Sequence, residues 1–120
     1  MHLIGGAEVD SPTHFLSRNS SNLDDILAEF PEATREQVRL ACQTARNAAQ
    51  AWRRTPAPVR GEIIGNIGAA IAREKEALSR LVTREMGKTL KEARGDVQEA
   101  IDTCHFFQSE GRRLYGQTVP

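Results

Sequence analysis

The sequence predicts a mainly α fold with a short N-terminal β-hairpin and about four helices. Three observations carry that expectation. Period-two apolar alternation is confined to the stretch before Pro31, the mark of a strand with one covered face. From Thr34 onward apolar residues recur every three or four positions, the helical period. Threonine capping boxes, prolines and a terminal glycine then divide that second stretch into separate helices. With 120 residues and 13.3 kDa the chain has the size of one domain. Aromatic residues are only 5%, so any core must rest on Ala, Leu, Ile and Val.

Residues 1–13 read as a loose leader, with Gly5-Gly6 and Asp10-Ser11-Pro12 and little periodicity. Residues 14–120 read as the hairpin plus a helical segment. Phe15-Leu16 starts a first short strand, and Asn19-Ser20-Ser21-Asn22 is a turn cluster. Asp25 to Phe30 forms a second strand that places Ile26, Ala28 and Phe30 on one face, and Pro31 stops it. Thr34 followed by Gln37 fits a capping box. The first helix is expected over about 34–53, with Val38, Ala41 or Cys42, Ala45, Ala48 or Ala49, and Trp52 on its apolar side. Pro56 and Pro58 break it, and Pro58 suits the start of the second helix.

Val59, Ile63, Ile64, Ile67, Ala70 and Ile71 supply the second helix's expected apolar face. Gly61, Gly65 and Gly68 lie inside it, each costing about 1 kcal/mol relative to Ala, which points to a close approach by another backbone. Their spacing matches neither phosphate-binding glycine motif. The third helix is expected over about 74–86, with Ala77, Leu78, Leu81, Val82 and Met86 inward and Gly87 closing it. Thr89 to Glu92 is a second capping box. It opens a fourth helix of about 25 residues, roughly 37 Å, with Ala93, Val97, Ala100 or Ile101, Cys104, Phe107 and Leu114 on one side and an end near Leu114 or Tyr115. Residues 117–120 read as an extended connection.

Charge excludes some functions. Sixteen basic residues balance sixteen acidic ones, which argues against a dedicated nucleic-acid binder. The balance is uneven along the chain: residues 1–33 hold one arginine against six carboxylates, and residues 34–120 carry the compensating excess. No run is long and apolar enough for a membrane span. No signal peptide is visible and the two cysteines make no disulfide framework, so the expected location is cytoplasmic.

The candidate chemistry is sparse. Cys104 and His105 are adjacent, and neighbours on a helix diverge by about 100°, so they make no nucleophile and base. Cys42 reads as a small buried hydrophobe. Glu85 and Lys88 flank a helix end and read as solvated caps. Asp96, Glu99 and Asp102 form an acidic run without the histidine or further carboxylate that a metal site needs. Trp52 beside Arg53-Arg54 is one aromatic without a groove to stack a base. The residues themselves describe a helical piece without a complete active site.

Five words in order carry a resemblance. They are Ala48-Ala49-Gln50-Ala51-Trp52, Pro58-Val59-Arg60-Gly61-Glu62-Ile63-Ile64, Arg84-Glu85-Met86-Gly87-Lys88, Glu92-Ala93-Arg94-Gly95-Asp96-Val97 and Arg112-Arg113-Leu114-Tyr115-Gly116-Gln117-Thr118-Val119-Pro120. Together they resemble the N-terminal segment of the NAD(P)-dependent aldehyde dehydrogenase superfamily, in wording similar to its semialdehyde-oxidising members. The resemblance covers about 19–120. Asn19-Ser20 stands where the family often has Asn-Pro, and residues 1–13 match nothing in it.

The resemblance implies the hairpin and four helices, as the entry to a cofactor domain whose sheet they wrap. It implies a reaction in which a cysteine thiolate attacks an aldehyde, hydride passes to NAD or NADP, and water releases the carboxylate. The residues for that chemistry fall later in full-length members. No catalytic, cofactor-binding or metal residue is therefore assigned here, and no cofactor is expected to bind this chain alone. The expectation is a truncated or split dehydrogenase, inactive by itself. Its partner would be the remainder of such an enzyme, or another copy through exposed apolar helix faces, with no nucleic acid or membrane. The alternative is a non-catalytic helical interaction module that pairs with a separate chain.

Overall fold

The computed structural model describes residues 1–113, 115 and 116. The chain forms two compact units, Met1–Arg54 and Thr55–Pro120.

The first unit holds two antiparallel hairpins and a helix. Strands β1 (His2–Ile4) and β2 (Ala7–Val9) pair with Ile4 opposite Ala7. The stretch read as a loose leader is therefore a second hairpin. Gly5 and Gly6 form its two-residue loop with φ of 62° and 83°. Such tight loops need positive φ, which only glycine adopts freely. Strands β3 (His14–Asn19) and β4 (Asn22–Pro31) form the expected hairpin, longer on both sides than the alternation suggested. Asn19 faces Asn22 across the loop, and its side-chain oxygen accepts from the Ser21 amide at 2.9 Å. Phe15 pairs with Phe30, their ring centroids 5.8 Å apart.

Helix α1 (Arg35–Arg54) begins one residue after Thr34. The capping box is present: the Gln37 amide donates to the Thr34 hydroxyl at 3.2 Å, and the Thr34 amide donates to Gln37 Oε1 at 2.9 Å. Gln37 also ties the first hairpin to the helix. Its Nε2 donates to the Asp10 carbonyl at 2.7 Å, and its Oε1 accepts from the Ser11 hydroxyl at 2.6 Å.

The second unit is a helical layer made of α2 (Ala57–Arg73), α3 (Lys75–Met86) and α4 (Leu90–Glu110). Among the described residues the buried apolar core is Ala93, Val97 and Ile101, one stripe of α4. Against it α2 presents Gly61, Gly65 and Gly68, its buried residues. A β-carbon on Gly61 would stand 2.4 Å from the Gln108 carbonyl oxygen, and one on Gly68 would stand 2.7 Å from Cys104 Cβ. The glycines thus answer to the close approach expected of them. Ser79 is the buried residue of α3, its hydroxyl donating to the Lys75 carbonyl at 2.7 Å.

Several inward assignments are corrected. Val59, Ile63 and Ile67 of α2, Leu81 and Met86 of α3, and Phe107 of α4 are all exposed. Their helices do carry apolar stripes, but α2 meets α4 through its glycines, which leaves the larger apolar residues of α2 outside that contact. Helix α4 ends at Glu110, short of the expected Leu114 or Tyr115. Arg113 bonds back to Glu110 and Ser109 there. Leu114 and residues 117–120, including the expected extended connection, lie outside the described residues.

Candidate functional site

Each chemical candidate is occupied in a structural role or stands apart. Lys88, just before α4, donates to Asp96 Oδ2 at 2.6 Å. That carboxylate holds the lysine ammonium above its ordinary pKa, and the bond fixes the turn between α3 and α4. Glu85 is exposed in the last turn of α3. Asp96 serves Lys88 and Asp102 accepts from Gln98 at 2.9 Å, so the acidic run does not converge. Among the described residues, no group of three His, Cys, Asp or Glu side chains is placed to hold a metal ion.

The two thiols are free. Cys104 is half-buried where α4 crosses Gly68, and His105 beside it points to solvent. Cys42 is exposed on α1, which corrects its reading as a buried hydrophobe. Trp52 is exposed near the helix end, with Arg53 and Arg54 lining a shallow groove alongside Gln50.

The ties that sequence reasoning missed join α3 to α4. Arg94 grips Glu76 with two hydrogen bonds, 2.9 and 2.8 Å, and Arg80 adds a third contact at 3.0 Å. The Arg94 guanidinium holds the Glu76 carboxyl below its usual range, with Arg80 contributing less. Lys75 adds a 2.6 Å bond to Gln98. These pairs lie 18 and 23 residues apart in the chain, so no local spacing rule picks them out.

The geometry is thus a scaffold: two hairpins, a helix, and a tied three-helix layer. That scaffold is shared with known proteins. The model of the aldehyde dehydrogenase family matches residues 9–120, and the chain belongs to that family. It is 38% identical to aldehyde dehydrogenase family 7 member A1 of Pisum sativum over 97% of this chain and 22% of that protein. It is 35% identical to the NADP+ succinate-semialdehyde dehydrogenase GabD of Escherichia coli over 80% of this chain and 20% of that one. Among solved structures, an NAD-dependent benzaldehyde dehydrogenase from Corynebacterium glutamicum superposes with a TM-score of 0.87. The match has 27% identity and covers 99% of this chain and 26% of that one. The chain therefore spans about a fifth of the length of the curated relatives it matches.

Proposed function

We propose that these residues serve as the N-terminal segment of an NAD(P)-dependent aldehyde dehydrogenase. The reaction would convert an aldehyde, of the semialdehyde class, to its carboxylate while reducing NAD+ or NADP+. The observation that carries this reading is the family match over residues 9–120. The semialdehyde class follows the wording of the relatives.

The chain's own residues do not fit the cofactor. Among the described residues no strand leads through a glycine turn into a helix N-terminus, the arrangement that cradles a pyrophosphate. The interior glycines of α2 are taken by contact with α4. The 120 residues alone are therefore inactive in this proposal, and they act by pairing with the remainder of a dehydrogenase. That pairing is also the interaction-module reading, favoured by the exposed apolar faces of α1, α2 and α3. A cytoplasmic location accords with it. Among the described residues no helix is long and apolar enough to cross a membrane.

The test is NAD(P)H formation with succinate semialdehyde and benzaldehyde. The purified chain should give none with either nucleotide. A chimera of GabD carrying these residues in place of its matched segment should turn over. Turnover by the chain alone overturns the inactivity claim, and a folded chimera without activity counts against the family role.

A further inference from the structure

We draw no further inference here: the strongest candidate, the open groove on the outer face of α4 between the Glu99 and Asp102 carboxylates and the Phe106 and Phe107 rings, is one exposed face of a single helix, and nothing in the structure shows what covers it.

Discussion

A methyl group distinguishes the glycines of this fold. Added at Gly61 it meets the Gln108 backbone carbonyl at 2.4 Å, whereas at Gly65 it meets the Gln108 side-chain amide at a similar distance. A side-chain end can swing away, but a helix backbone cannot. At Gly95 an added β-carbon meets nothing within 4 Å. Gly61→Ala should therefore lose roughly 1–3 kcal/mol to overpacking, only partly offset by about 1 kcal/mol of helix propensity. Gly95→Ala should gain about 0.5–1 kcal/mol. Urea unfolding of both variants decides it. If the two substitutions stabilise equally, the close contact between α2 and α4 is wrong. The three interior glycines were legible in the sequence as a packing signal, because their propensity penalty needs a compensation. What they pack against was not legible, since that depends on contacts some 40 residues away.

At the scale of the element, helix starts were the clearest feature and strand content the least. Both capping boxes form as the Thr-x-x-Gln and Thr-x-x-Glu spacings predict, because a cap is a local bond between residues three apart. The first hairpin was missed although Gly5-Gly6 between two short apolar runs is a tight-turn signal. Three-residue strands are too short to show alternation. Thr89→Ala should remove the cap of α4 and cost about 1 kcal/mol in thermal or urea unfolding.

Acid should act on the same region. The Thr89 hydroxyl and then its amide hold the Glu92 carboxyl below its usual value, and Arg94 does the same to Glu76. A carboxylate depressed in the folded state adds stability that is present above its unfolded pKa, about 4.3. That stability is lost as pH falls through the lower folded value. Unfolding midpoints should therefore be level above about pH 5 and drop below it. Glu92→Gln and Glu76→Gln should each flatten the drop. An unchanged acid limb in both variants would show that these two contacts do not set it.

For the molecule as a whole, surface is the deciding quantity. Trp52, Val59, Ile63, Ile67, Leu81, Met86, Phe106 and Phe107 are exposed, while among the described residues the buried hydrophobic ones are Ala93, Val97 and Ile101. The sequence shows these helices as amphipathic but cannot show which stripe finds a partner, because periodicity records that a face is apolar and not what covers it. Those exposed side chains make a prediction. The folded chain should raise the fluorescence of a dye for exposed apolar surface while keeping its helical circular dichroism. Co-expression with the part of GabD that follows its matched segment should remove most of that signal, because the exposed apolar side chains are then covered. A helical chain that binds no dye would mean that the apolar faces close on themselves in solution, and pairing with a dehydrogenase remainder would lose its physical motive.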